Sequence, residues 1–263
     1  MTRLTATMKW DVRLQWRNGF YYAAMVVVII WALLMSQVPA NVLSGIGDDT
    51  LAWLLPVAIL GNLLIGTFYF MGGLLLLEKG EGTLEAQIVT PLRSTEYILS
   101  KLATLTVLSL IENSLLVGII FALRSRFWLE PFQQVSALGP ELIISILLFD
   151  AGLILAALML CLAGFLVVIR YDSINEYLLP SILVTTVLML PLVAYMAGWQ
   201  SPLLYLHPLQ APLLLLQAAW QPLPAWPILY ALAYSLLWIW LLFRVAHNAF
   251  YRFVIIKQGV VTR

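Results

Sequence analysis

Runs such as VVVIIWALLM, residues 26–35, decide what this chain can fold into, because nothing in them can meet water along a whole helical face. Crossing a hydrocarbon layer about 30 Å thick takes roughly 20 apolar residues of helix, each rising about 1.5 Å. Six stretches meet or approach that length: Phe20–Val38, Leu51–Leu77, Ile98–Leu123, Leu142–Ile169, Leu178–Gly198 and Trp226–Phe243. Their apolar character is continuous, whereas a barrel strand would alternate lipid-facing with lumen-facing residues. Hydrophobic residues make up 62% of the chain, against about 45–50% in soluble domains. The sequence therefore predicts an all-α integral membrane domain over residues 1–263, with six transmembrane helices.

Orientation follows from the basic residues, which concentrate in cytoplasmic loops close to the membrane. Arg3, Lys9, Arg13, Arg17, Lys79, Arg93, Lys101, Arg170, Arg244, Arg252, Lys257 and Arg263 fall on one side, leaving only Arg124 and Arg126 for the other. This predicts a multi-pass protein of the cell membrane with both termini in the cytoplasm. The net charge of +1 conceals the asymmetry and offers no basic face for nucleic acid. The first apolar run is too long for a signal-peptide core and lacks an A-x-A-like site, so it reads as a retained anchor. The single cysteine, Cys161, lies inside the fourth span, and His207 and His247 are placed on opposite sides, which leaves no metal-ligand set.

Two segments outside the spans have their own patterns. In residues 1–19, Leu4, Met8, Val12 and Trp16 recur every four positions while basic residues fill other faces, as in a helix lying in the headgroup plane of the lipid. Residues 199–225 contain no Asp, Glu, Lys or Arg, and prolines 202, 208, 212, 222 and 224 forbid one continuous helix. They are predicted to form a re-entrant helical hairpin before the last span, buried where protein satisfies its backbone.

The segment EKGEGTLEAQIVTPLRSTEYILSK, residues 78–101, holds seven of the 27 charged side chains. Gly80 and Gly82 end the second span, Thr83 is placed to cap a short helix with Glu85 in its first turn, and Pro91 stops it. Leu84, Ile88 and Val89 have no lipid to face and want a partner. Ser94 is placed to cap the next helix, with Glu96 near its positive end. The cytoplasmic connection over residues 78–97 is thus a polar-rimmed knob held under the bilayer by two spans.

The string Glu78 to Pro91, E-K-G-E-G-T-L-E-A-Q-I-V-T-P, resembles the connection between the second and third spans of type-two ABC transporter permeases. In that family the short helix is a coupling helix that contacts a cytoplasmic ATPase. The resemblance implies that Glu78, Glu81, Gly82, Thr83, Leu84, Glu85, Ile88, Thr90 and Pro91 sit in or beside that contact. It also implies ATP and Mg on a separate ATPase subunit, consistent with the lack of a G-x-x-x-x-G-K-[ST] loop here. A second copy or a sister permease would complete the pore. The stretch Asp11 to Ala23, DVRLQWRNGFYYA, is similar to permeases described as fluoroquinolone or drug exporters.

Inside the membrane, Glu112 lies about 16 Å from the outer end of the third span and Asp150 about 12 Å from the outer start of the fourth. Carboxylates at that depth face a bundle interior or a wet cavity. Together with Asn113 they form either a polar patch on an export route for a cationic or amphipathic substrate, or glue between helices with Ser109 and Asn113 as partners. Two ionised groups at one depth repel, which a shared proton or a reach of Arg124 or Arg126 would relieve. A polysaccharide or lipid-linked glycan exporter is an alternative, given the ten tryptophans and eleven tyrosines. An integral-membrane lipid-modifying enzyme using Glu112, Asp150 and His207 is a more remote one, without an H-E-x-x-H or nucleophile-elbow motif to support it.

Overall fold

Every regular element among the described residues is helical, as the unbroken apolar runs require. The computed structural model describes residues 3–36, 50–88, 93–124, 139–199, 201–219 and 223–256. In chain order they form α1 (Arg3–Arg17), α2 (Phe20–Ser36) and α3, which runs Thr50–Leu63, passes through a π-helical turn Leu64–Tyr69 and ends as Phe70–Gly80. A short α4 (Thr83–Ile88) precedes α5 (Ser94–Arg124) and α6 (Gly139–Val168). Then come α7 (Ile174–Leu188), α8 (Leu190–Met196), a 3-10 turn Pro202–Leu206, α9 (Gln210–Ala218) and α10 (Ala225–Phe250), which closes in a π-helical turn Tyr251–Ile256.

Among the described residues, four stretches, Leu55–Gly80, Ser94–Ile120, Ile143–Val168 and Ala225–Val254, are long and apolar enough to cross a membrane. Two bent pairs raise that to six if each is one span: α1 with α2 at 64°, and α7 with α8 at 46°. The first bend falls at Gly19, whose φ of +77° is a conformation that a side chain would resist. The second has a proline behind it. Pro191 has no N–H to give to the carbonyl four residues earlier, so Val187 O is released from the helical ladder. His207 Nε2 reaches that oxygen at 3.1 Å, and His207 Nδ1 accepts from Leu209 N–H at 3.2 Å. Both contacts together fix the neutral imidazole with its proton on Nε2.

The packing centre is α6. Its Gly164 lies so close to α3 that an added Cβ would come within 2.6 Å of Phe68 O, at the π-helical turn. Gly152 likewise lets α9 approach, its built Cβ lying 3.1 Å from Leu216 N. Before α10 the chain forms one 3-10 turn and one short α-helix. Leu213, Leu215 and Leu216 of α9 are fully buried against protein. Tyr234 Oη donates to Leu206 O at 2.7 Å and Tyr230 Oη to Tyr205 O, pinning the turn onto α10.

Candidate functional site at the coupling segment

The last turn of α3 and the first turns of α5 are joined to α1 by a buried ion cluster. Lys101 Nζ lies 2.5 Å from Glu78 Oε1 and 3.0 Å from Asp11 Oδ1, and none of the three side chains is exposed. Each carboxylate places its second oxygen on a hydroxyl: Tyr97 Oη donates to Glu78 Oε2 and Ser100 Oγ to Asp11 Oδ2, both at 2.6 Å. The ammonium also lies 4.5 Å from the centroid of the Tyr97 ring. Burying charge is tolerated only with this degree of pairing and hydrogen bonding. Three elements distant in sequence, α1, α3 and α5, therefore share one joint. Gln15 Nε2, one turn along α1, extends it by donating to Thr104 Oγ1 at 3.1 Å.

Around this joint the coupling segment is tied to other helices. Arg17 Nη2 lies 2.7 Å from both carboxylate oxygens of Glu81, linking α1 to the turn before α4. Lys79 Nζ donates to Ile169 O at 3.1 Å and to Tyr171 O at 2.5 Å, using carbonyls left without helical partners at the end of α6. It also lies 3.4 Å from Asp172. Ser94 Oγ and His247 Nε2, 2.9 Å apart, connect the start of α5 to α10.

Several expectations change with this geometry. Gly82 has φ of +69° and forms the turn into α4, as its position suggests. Thr83 is the first residue of α4, with Gly82 O accepting from Ala86 N–H, and its hydroxyl donates back to Glu78 O at 3.2 Å and so closes the end of α3. Ser94 is the first residue of α5 and not its cap: Arg93 O accepts from Tyr97 N–H, Glu96 accepts from Arg93 N–H at 3.0 Å, and the Ser94 hydroxyl meets His247. Leu84, expected to be exposed, is 1% exposed and anchors α4 to the core. Glu78 points inward and holds the ion cluster. Glu85 and Ile88 belong to α4, whereas Val89, Thr90 and Pro91 lie outside the described residues. Asp11, Tyr97, Ser100 and His247 were not singled out by the sequence pattern. The one signal pointing to them is that ionic groups are scarce in this chain and a buried one must find a partner.

Deeper in the bundle, Asn62 Nδ2 donates to Asn113 Oδ1 at 3.2 Å, joining α3 to α5. Glu112 is 2% exposed. Its carboxyl occupies the space over Gly66, where a built Cβ would be 2.4 Å from Oε2. Asp150 on α6 is half-buried, and no hydrogen bond or ion pair joins it to Glu112. Ser109, the other expected partner, turns its hydroxyl to Leu105 O at 2.8 Å. Arg126 lies outside the described residues.

The sequence profile of the fluoroquinolones export permease protein family matches residues 2–258. The chain belongs to that family. Two relatives from Mycobacterium tuberculosis, strains CDC 1551 / Oshkosh and H37Rv, are each named as a fluoroquinolones export permease protein. Each is 31% identical over 264 residues, covering 99% of this chain and all of the relative. The ion cluster and α4 thus lie in an export permease, a transporter subunit with several membrane-length helices.

Proposed function

We propose that the chain is the membrane-spanning subunit of an ATP-driven ABC exporter that moves amphipathic small molecules of the fluoroquinolone kind out of the cell. ATP and Mg are held by a separate cytoplasmic ATPase, and a second copy or a sister permease completes the pathway. The observation that carries this reading is the family match over residues 2–258 in a chain whose Gly-Thr-Leu-Glu helix α4 is built into the bundle through Leu84. In this reading α2 and the α7–α8 pair are spans, and the chain crosses six times with both termini in the cytoplasm. The 64° bend at Gly19 and the exposure of Trp16, at 61%, support an α1 that lies along the headgroups.

The ion cluster gives α4 something to push against. A helix of six residues resting on solvent would absorb a displacement by local rearrangement. Here Leu84 is in the core, Thr83 holds the end of α3, and Glu78 is bonded to Lys101 and through it to Asp11. Movement of α4 driven by an ATPase is therefore shared by α1, α3 and α5 as a unit. Closure of two ATPase subunits on ATP opens the permease interface outward, and hydrolysis resets it. Glu81, Gly82 and Glu85 remain the residues of this segment assigned to the ATPase contact, together with Ile88, Thr90 and Pro91.

Proteoliposomes containing the permease and its ATPase provide the test. ATP-dependent movement of a fluoroquinolone across the bilayer is expected, along with crosslinks from cysteines introduced in α4 to the ATPase. Transport that proceeds without an ATPase, or an α4 that never crosslinks to it, would overturn the assignment.

A further inference from the structure

The end of α10 carries a cationic patch whose counter-charge is missing among the described residues. Arg170 follows the apolar part of α6, and Arg252 lies in the π-helical turn that closes α10. Their guanidinium carbons are 5.9 and 5.6 Å from the centroid of one ring, that of Phe253. Both arginines are exposed. Of the carboxylates at this end, Asp172 pairs with Lys79, Glu81 with Arg17, and Glu78 and Asp11 with Lys101, while Glu96 accepts from Arg93 N–H and Glu176 makes no ion pair among the described residues. None lies within ion-pair distance of Arg170 or Arg252. Two turns before Arg252, Arg244 leans on Trp240 at 4.9 Å, and the sequence continues with Lys257 and Arg263.

Like charges gathered on one ring repel unless an anion joins them, and the level at which they stand identifies its source. The apolar stretches of α6 and α10 close at Val168 and Val254, so the patch stands where hydrocarbon gives way to headgroups. Tyr251, 48% exposed, flanks it as interfacial aromatics do. Phosphodiesters are concentrated at that level, and planar guanidiniums bind them through paired N–H donors. We propose that Arg170, Phe253 and Arg252 form a headgroup site for an anionic phospholipid. The guanidiniums hold the phosphodiester and Phe253 packs against the glycerol end. Lys79 closes the same end of α6 by bonding Ile169 O and Tyr171 O, so an occupied site braces the helix end to which the coupling segment is tied.

The experiment is native mass spectrometry of the full-length permease released from nanodiscs of phosphatidylcholine with and without phosphatidylglycerol. The wild type is expected to retain phosphatidylglycerol over phosphatidylcholine. R170Q/R252Q is expected to lose that preference by about fivefold for each guanidinium removed, with helicity and phosphatidylcholine retention unchanged. R170K/R252K, which keeps the charge without the planar fork, retains part of it. Should the double glutamine variant fail to fold, R252Q and F253L are measured singly and each is expected to lower the preference. Undiminished preference in the folded glutamine variants, or equal retention of the two lipids by the wild type, would overturn the proposal. Displacement of phosphatidylglycerol by millimolar inorganic phosphate would overturn it too, by making the site one for free phosphate.

Discussion

Lys101 and Glu78, one on each side of the coupling segment, form a 2.5 Å ion pair with neither side chain exposed to solvent. The ammonium answers a second carboxylate, Asp11, from a helix that the chain formed about 90 residues earlier. The cluster therefore holds two acids to one base, and its remaining acceptor capacity is taken up by Tyr97 and Ser100.

Replacing Lys101 by Met removes the base and leaves two carboxylates facing each other without water. Loss of one member of a buried ion pair costs about 3–5 kcal/mol, so K101M is expected to show a sharply lowered melting temperature and poor recovery from the membrane. E81A is the control. Its partner Arg17 is 57% exposed, and an exposed pair contributes about 0–1 kcal/mol. Thermal unfolding of the two variants in the same detergent should separate them clearly; similar losses would mean that the cluster does not behave as a buried one.

Much of this was legible beforehand, and what was not has a physical cause. Apolar runs such as Leu74–Leu77 reveal spans because lipid imposes one demand on every residue of a run. The turn at Gly82 was readable because its positive φ suits glycine. Leu84 was misread because a six-residue helix has too few positions for its periodicity to tell whether it packs inward or stands out. Asp11 was out of reach for a different reason. The spacing of Leu4, Met8, Val12 and Trp16 does not follow one face of α1: Val12 and Trp16 are exposed and Leu4 and Met8 half-buried, while the face packed on α5 carries Asp11, Leu14 and Gln15. Polar residues paired across 90 positions leave no local pattern.

The close approach of α3 and α6 gives a contrast between two glycines. At Gly164 a methyl group would meet the backbone oxygen of Phe68 at 2.6 Å, so one helix must move. Overpacking of this kind costs about 1–3 kcal/mol. At Gly66 the obstacle is the end of the Glu112 side chain, which can rotate away. G164A is thus expected to lower the melting temperature more than G66A. Equal effects would show that α3 and α6 separate more easily than their packing indicates.

Acid should loosen the segment before the last span. Burial holds the His207 imidazole below its usual value, which is about 6.5 in an unfolded chain. With the folded value depressed, the neutral ring contributes fully above that pH. As the pH falls through it, the unfolded chain binds a proton that the folded one resists, and stability is lost. Protonation would also remove the acceptor for Leu209 N–H. Melting temperatures at about pH 7.5 and about pH 5.5 should therefore differ more for the wild type than for H207Q. A variant with the same acid sensitivity would assign the effect to another group.

The two carboxylates Glu112 and Asp150 stand in different surroundings. Glu112 is wedged over Gly66 in the interface of α3 and α5, close in sequence to the Asn62–Asn113 hydrogen bond, whereas Asp150 is half-buried and not bonded to it. A group filling a helix interface should register as stability, and one with access to water or a partner subunit should register as transport. E112Q keeps the volume of the side chain and is expected to shift the melting temperature with little change in drug export. N113L breaks the amide pair at a cost of about 0.6 kcal/mol, the average for such bonds between membrane helices. D150N, with folding intact, is expected to reduce ATP-dependent export. Measuring both quantities for each variant tests the division: lost export with an unchanged melting temperature in E112Q would place Glu112 on the substrate route, and full export in D150N would remove Asp150 from it.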